Sequence, residues 1–378
     1  MVLQSPEPGN LFNRKPKPSN TMKSSSCIYD RLTELIQLHP ECVLATVIST
    51  QGSTPQKAGS LALIGSKGLL AGTIGGGITE MKVIQEAQIR IKSKESGLLL
   101  FELQGKIEKG SESICGGSMR ILLDATPKLH LPIFRQLNKS LENRIPGVLV
   151  SWIDQSDPEN LDITRYWFTK DNELFFPGEL GKAVDSIVTK MLDYPVASCQ
   201  AVEMATPDFD RNDLILLESI VPKPSLIIAG AGHIGQSLAP LAKTLGFSVA
   251  VWDDKPEYAD QTRFPDADTV LSGVENLEKI TVRHDTWVVV VTHSHKSDAD
   301  VLRKFIGSDA AYIGMIGSKA KVAQMKASFL NNGWATPEQW NQVYSPVGLD
   351  IGAQTVEEIA VSIAAQLVKV RNQITIKP

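Results

Sequence analysis

The run Leu226 to Asp254, LIIAGAGHIGQSLAPLAKTLGFSVAVWDD, admits few folds. Four apolar residues, Leu226 to Ala229, lead directly into Gly230-Ala231-Gly232-His233-Ile234-Gly235, and a helix-like stretch and a second apolar strand ending in Asp253 and Asp254 follow. Strand, glycine turn, helix and strand in this order hold a nucleotide pyrophosphate at the end of a parallel strand. Gly230 permits the tight turn, Gly232 lets the backbone approach phosphates, and Gly235 lets helix and strand pack closely. The helix head, with His233 on it, favours an anion. Asp253, eighteen residues past Gly235, can accept hydrogen bonds from ribose hydroxyls. The competing reading is a Rossmann unit that kept the turn for folding alone.

At 378 residues the chain exceeds one average core, so two domains are expected. Downstream the pattern stays βαβ. Thr286 to Thr292 is a continuous apolar strand, as when both faces are covered. Asp298 to Ile306 reads as helix, Ala311 to Ile316 as strand and Ser318 to Leu330 as helix. Thr355 to Arg371 closes the chain as a long helix with Ile359, Ile363, Leu367 and Val370 on one stripe. Upstream, a helix over Cys27 to His39 precedes strands at Cys42 to Ser49, Ser60 to Ile64 and Leu69 to Ile74. A helix from Thr79 to Lys92 would take Thr79 as its cap and carry Met81, Ile84, Ala87 and Gln88 at helical intervals. Strands at Gly97 to Leu103 and Met119 to Leu123 follow. The middle is less legible: strands at Gly147 to Ile153, Ile163 to Phe168 and Leu174 to Phe176, a helix over Leu180 to Leu192, and strands at Ala197 to Met204 and Leu214 to Ile220. Pro222 and Pro224 mark a linker. The expected organisation is a disordered tail over 1–25, an N-terminal α+β domain over 26–220, a linker over 221–225 and a Rossmann-like, doubly wound parallel-sheet domain over 226–378. The fold class is α/β.

A formal charge of −4 argues against nucleic-acid binding, and no apolar run reaches bilayer length. The first two dozen residues hold four prolines and no hydrophobic stretch of the secretory kind, so a cytoplasmic protein is expected. Cys27, Cys42, Cys115 and Cys199 are scattered without paired spacing, against a disulfide framework or a zinc ribbon.

Several segments offer chemistry. Gly75, Gly76 and Gly77, between a strand and a helix, leave amides free to face a phosphate or a flat heterocycle. Glu80 in the first helical turn suits either a capping acid or a ligand-facing carboxylate. Ser53 and Lys57, in the glycine-bounded loop Gly52 to Gly59, offer donors to an anion, although such a loop is also an ordinary surface turn. Cys115, bounded by Gly116 and Gly117, differs from the other cysteines because nearby amides could stabilise its thiolate. His293 and His295 share one face of an extended segment at the carboxyl end of a parallel strand, with Asp298 near enough to join them in polar ligand contact, in a metal site, or as a helix cap. Ser318 is an N-cap candidate, and Lys319 and Lys321 could reach a phosphate, without the spacing of a Walker loop.

With these pieces in order, the chain resembles the XdhC/CoxI family of molybdoenzyme maturation factors. The resemblance rests on GSTPQKAGS (52–60), GTIGGGITE (72–80), CGG (115–117), IAGAGHIG (228–235), THSHKSD (292–298), YIGMIGSKAK (312–321) and SPVGLDIGAQTVEEIA (345–360). It implies binding of molybdenum cofactor (molybdopterin) and help in sulfurating and inserting it into a xanthine dehydrogenase-like molybdoenzyme. It also implies work beside a cysteine desulfurase, a homodimer, and an accessory protein rather than a stand-alone enzyme. Cys115 and Glu80 would take the chemical role. The chain departs from the family pattern at Gln56, where an arginine is usual, and at Ile78, where cysteine or histidine is common. Ser294 and Gln366 stand where carboxylates are often found. The rival expectation is an NAD(P)-dependent oxidoreductase, or another nucleotide-dependent activity, with Asp253 favouring NAD over NADP. Four scattered cysteines are too few for the pair of iron–sulfur clusters a xanthine dehydrogenase would need.

Overall fold

The computed structural model describes residues 25–103, 117–171, 178–206 and 211–376. Chain order begins with α1 (Ser25–Leu38), β1 (Cys42–Gly52), β2 (Leu61–Gly65), β3 (Gly68–Gly72), α2 (Gly77–Ser93), β4 (Gly97–Leu103) and β5 (Gly117–Asp124). A 3₁₀ turn at Pro127–His130 leads into α3 (Leu131–Glu142), β6 (Gly147–Asp154), β7 (Asp162–Phe168), α4 (Gly178–Asp193), β8 (Ser198–Thr206) and β9 (Arg211–Ile220). These strands make two antiparallel sheets, ordered β3-β2-β1-β5-β4 and β7-β6-β9-β8.

Side-chain alternation stacks the two sheets. On β1, Val43, Ala45 and Val47 face Val83 and Ala87 of α2, while Ile48 faces Ile153, Leu214 and Leu216 of the second sheet. Leu44 packs with Leu32 and Ile36 of α1 and with Phe134 and Leu137 of α3. The far face of the second sheet is covered by Val184 and Val188 of α4. The less legible middle therefore supplies a second sheet that closes the α+β region. Helix α3, not expected from the sequence, carries its own apolar stripe of Leu131, Phe134, Leu137 and Leu141.

Beyond Val221 to Pro224 come β10 (Ser225–Ala229), α5 (His233–Thr244), β11 (Ser248–Asp253), β12 (Thr269–Ser272), α6 (Val274–Glu278), β13 (Thr286–Val290) and α7 (His295–Phe305). The chain ends with β14 (Tyr312–Met315), α8 (Lys319–Asn331), α9 (Pro337–Asn341), β15 (Val343–Tyr344) and α10 (Val356–Ile376). The sheet is parallel throughout and ordered β12-β11-β10-β13-β14-β15. In order of appearance that is 3-2-1-4-5-6, the doubly wound Rossmann order. Helices α5 and α10 bury one face against Leu226, Ile228 and Val289, and α7 and α8 cover the other over Ile227, Val288 and Val290. The fully buried TWVVV strand is explained by this double cover. Arg144 ties the two regions by donating to the Lys223 carbonyl at 3.0 Å and by pairing with Asp285.

Two expectations about helix starts are corrected. Thr79 does not cap α2. Gly76, at φ 71°, turns the chain into the helix earlier, so Thr79 lies inside it with Val83 and Ala87 on the buried face while Met81 is exposed. Helix α7 likewise starts at His295 and is capped by Ser294, whose hydroxyl accepts from the Ser297 amide at 3.0 Å, and not by Asp298. The expected strand at Leu174 to Phe176 lies outside the described residues.

Candidate functional site

The first candidate site is assembled from two loops of the antiparallel region and the start of β5. Gly75, Gly76 and Gly77 all have positive φ (128°, 71° and 59°), conformations that side chains rarely adopt. A Cβ at Gly75 would strike Pro55 at 2.8 Å, so this loop lies against the Gly52 to Gly59 loop. Among the described residues a Cβ at Gly76 or Gly77 would meet nothing within 4 Å, and the head of the seventeen-residue helix α2 has no side-chain cap. The first-turn amides there stand where no other described residue intrudes, which suits a phosphate at a helix head. Gly117 pairs with Gly52 across β5 and β1, and a Cβ on it would meet the Ser53 carbonyl at 2.6 Å. The two loops and Gly117 therefore converge on one end of the first sheet. Ser53 and Lys57 are both exposed on this rim. Cys115 lies outside the described residues.

Glu80 has a role here other than the chemical one expected from sequence. Its Oε2 accepts from the Thr73 hydroxyl at 2.6 Å and from the Ile74 amide at 3.0 Å. Thr73 Oγ1 in turn accepts from the Gly75 amide at 3.1 Å. One carboxylate oxygen clamps the glycine loop, so Glu80 positions the site. Gln56 is also engaged within its own loop, accepting from the Ser60 hydroxyl at 3.0 Å. Ile78 is exposed beside the glycines.

The second candidate site is the rim of the parallel sheet. Gly230 has φ 129°, and a Cβ there would lie 2.3 Å from the Val291 carbonyl; one on Gly235 would lie 2.2 Å from the Gly230 carbonyl. Gly232 is exposed, at φ −76°, and no described residue lies within 4 Å of a Cβ built on it. Turn, open approach and close packing thus fall on the three glycines as the sequence distributes them. His233 is exposed at the head of α5.

Asp253 departs from its expected part. It is 3 % exposed, its Oδ2 accepting from the Ala231 amide at 2.8 Å and its Oδ1 from the Lys255 amide at 3.0 Å. This carboxylate fixes the glycine turn rather than reaching out to a ribose. The acid facing outward is Asp254, which sequence reasoning passed over; the signal was the alternation of the Asp253-Asp254 pair at a strand end. The Asp254 side chain is about one-third exposed and lies 3.9 Å from His293 Nδ1. Its pKa is raised, first by burial and then by the neighbouring Asp253. Asp253, Asp254 and His293 each present a metal-capable atom, all within 4.8 Å of one another.

His295 does not join His293 as the i, i+2 spacing suggests, because it begins α7 and is exposed to solvent. Asp298 is also withdrawn. It is fully buried, accepting from the Thr292 hydroxyl at 2.5 Å, the Thr292 amide at 3.1 Å and the Lys321 ammonium at 2.7 Å. Lys321 is thereby committed to structure. Ser318 caps α8 by accepting from the Lys321 amide at 3.3 Å, and Lys319 stays exposed. A cavity of about 540 Å³, lined in part by Asp254, Trp252, Val274, Leu277, Ser297 and Asp300, opens beside this rim. Gln366 clamps the loop after β15, accepting from the Tyr312 hydroxyl at 2.6 Å and the Gly348 amide at 2.9 Å. Cys42 and Cys199 are packing residues. Burial pushes the Cys42 thiol up to about 12 and raises that of Cys199 as well.

Fold and rims define a protein with a Rossmann domain behind an α+β region that carries a second glycine-lined loop. Residues 226–367 match the XdhC Rossmann domain and residues 35–102 match the XdhC and CoxI family, and the chain belongs to that family. It is 27% identical over 354 residues to a Bacillus subtilis protein whose name is that of a probable xanthine dehydrogenase subunit, covering 91% of this chain and 98% of that one. It is 33% identical over 153 residues to the uncharacterized Escherichia coli protein YqeB, covering 40% of this chain and 28% of that one. A crystal structure from Bacillus halodurans described as a xanthine dehydrogenase superposes with a TM-score of 0.73 at 24% identity, over 91% of this chain and 96% of that one. Among the described residues, no helix is long and apolar enough to cross a membrane.

Proposed function

We propose that the chain is a maturation factor for a xanthine dehydrogenase-type molybdenum hydroxylase, binding molybdenum cofactor and assisting its sulfuration and insertion. The observation that carries this reading is the convergence of the Gly52 to Gly59 loop, the three positive-φ glycines and Gly117 at one sheet end, beside uncapped helix amides. Family membership and the name of the Bacillus subtilis relative support the client class.

The residues fit the cofactor's chemistry. A pterin is flat and carries a phosphate, and the open space over Gly76 and Gly77 is what a side chain would otherwise fill. The Gly75 to Gly77 backbone, Ser53 and Lys57 would hold the phosphate and ring edge. When bound, the cofactor supplies the dithiolene-held molybdenum that the client enzyme uses. In this reading Cys115 serves sulfur handling, a cysteine desulfurase and a second copy of the chain are its partners, and the site works in the cytoplasm.

A second reading, a nucleotide-dependent oxidoreductase using NAD(P), is favoured by the sheet order and by open Gly232. Ultraviolet-visible spectra and mass spectrometry of natively purified protein separate the two. A co-purifying pterin, lost on Gly76→Val substitution, is the expected result. Nicotinamide alone, with no pterin bound on direct addition, would overturn the maturation reading.

A further inference from the structure

Asp253 ends β11, Asp254 follows it, and His293 stands three residues beyond the end of the neighbouring-but-one strand β13. Open parallel sheets gather their ligands at these carboxyl ends, where the order reverses between β10 and β13. The three side chains form a mixed oxygen and nitrogen donor set whose atoms lie within 4.8 Å of one another. Asp254 Oδ1 and His293 Nδ1 are 3.9 Å apart, too far for a hydrogen bond. Two ligands on an ion with bonds of about 2.1 Å sit roughly 3 to 3.5 Å apart, so a small rotation of the half-buried Asp254 or the exposed His293 brings that pair to ligand spacing.

Asp253 is the fixed member of the set. The Ala231 and Lys255 amides hold one oxygen each, and a carboxylate oxygen has a second lone pair to offer. Neither amide brings a countercharge. Among the described residues no lysine or arginine forms an ion pair with Asp253 or Asp254, and the Lys255 ammonium lies over the Tyr258 ring at 5.6 Å. Two adjacent carboxyl groups facing an imidazole lack the cation that would relieve their repulsion.

We propose that Asp253, Asp254 and His293 form a binding site for one divalent first-row cation of the Mn²⁺ or Zn²⁺ class, with its remaining positions open to water or to a ligand's oxygens. The imidazole selects against Mg²⁺ and Ca²⁺, which prefer oxygen-only shells, and the two carboxylates select against Cu⁺. Ala231, which Asp253 holds, immediately precedes open Gly232. A phosphorylated ligand at the head of α5 would therefore come next to the ion. The proposal stands apart from molybdenum cofactor binding, since its test needs neither cofactor nor client.

The test is a titration of the full-length protein with Mn²⁺ alone, following the free-ion electron paramagnetic resonance signal. Saturation at one ion per chain is expected, reversed by Zn²⁺. Asp254→Asn and His293→Ala should each weaken binding by about tenfold or more, while His295→Ala leaves it unchanged. Thermal melts like that of the parent would assign those losses to the ligands. Should a variant melt early, Mn²⁺-induced broadening of the His293 ring signals in the unsubstituted protein reads the same site. Absence of saturable binding, binding indifferent to both substitutions, or an equal loss in His295→Ala would overturn the proposal.

Discussion

The Lys321 ammonium sits 2.7 Å from Asp298 Oδ2, which fastens the loop after β13 to the first turn of α8. Asp298 has no exposure, and its other oxygen is taken by Thr292. Removing one partner of a buried pair leaves the other charge uncompensated, at a cost of about 3 to 5 kcal/mol. Because Lys321 is partly open to water, the lower end applies to Asp298→Ala, and urea denaturation should report about 3 kcal/mol lost. A loss below about 1 kcal/mol would mean that the pair contributes little to holding the rim together.

The three glycines of the Rossmann turn should separate under substitution by alanine. At Gly230 the new methyl meets the Val291 carbonyl at 2.3 Å with φ at 129°, and at Gly235 it meets the Gly230 carbonyl at 2.2 Å. Both variants should lose several kcal/mol or fail to fold. Gly232→Ala has room and an ordinary φ, so its melting temperature should stay near that of the parent. Nucleotide binding, measured by calorimetry with adenine nucleotides, should still fall because the methyl stands where a phosphate would approach. If Gly232→Ala binds a nucleotide as the parent does, the turn serves folding alone.

Glu80 offers a clean division between positioning and chemistry. Gln at this position keeps an oxygen able to accept from Thr73 and Ile74, whereas Ala keeps none. Glu80→Gln should therefore bind cofactor close to parental strength. Glu80→Ala should bind it more weakly and lose about 1 to 3 kcal/mol of stability, the cost of stranding two donors. Abolition of cofactor transfer by Glu80→Gln, with binding intact, would restore a chemical role to the carboxylate.

The parallel half was readable because its constraints are local. Glycine spacing, a continuous apolar strand and a single αβ period each refer to a few neighbouring residues, and TWVVV or IIAGAGHIG carries its structure on its face. What sequence could not carry was orientation. Asp253 and Asp254 are adjacent and identical in type, yet one is held by the Ala231 and Lys255 amides and the other is about one-third exposed. His293 and His295 share an extended-chain face on paper, but helix α7 starts at His295 and turns it away. In the antiparallel half, the second sheet pairs β6 with β9 across more than sixty residues, a relation that no local period records. Helix α3 was legible in principle from Leu131, Phe134, Leu137 and Leu141, with Pro132 in its first turn as a start signal.

Between the two antiparallel sheets lies a buried charged network with opposing pH responses. Arg165 pairs with Asp124 and donates to the Ser151 hydroxyl, while Tyr29 donates to Glu218 at 3.1 Å. Burial raises the Glu218 carboxyl to about 7, against the opposing pull of Arg165. Burial and Arg165 lower the His130 imidazole to about 4. For Glu218, folded and unfolded chains are both protonated below the ordinary value of 4.5, so its burial is harmless there. As pH rises from 4.5 to about 7 only the unfolded chain ionises, and stability is lost by about 1.4 kcal/mol per pH unit. For His130 the sign is opposite: stability is intact above 6.5 and is lost as pH falls toward about 4, where only the unfolded chain is protonated. Between 4.5 and 6.5 the two slopes cancel. Relative to the parent, Glu218→Gln should therefore gain stability steadily as pH rises through that window, and His130→Gln should gain it as pH falls. Urea denaturation at three pH values across the window measures both differences. Differences independent of pH, or both of one sign, would show that these two groups titrate in the folded protein much as they do in the unfolded chain.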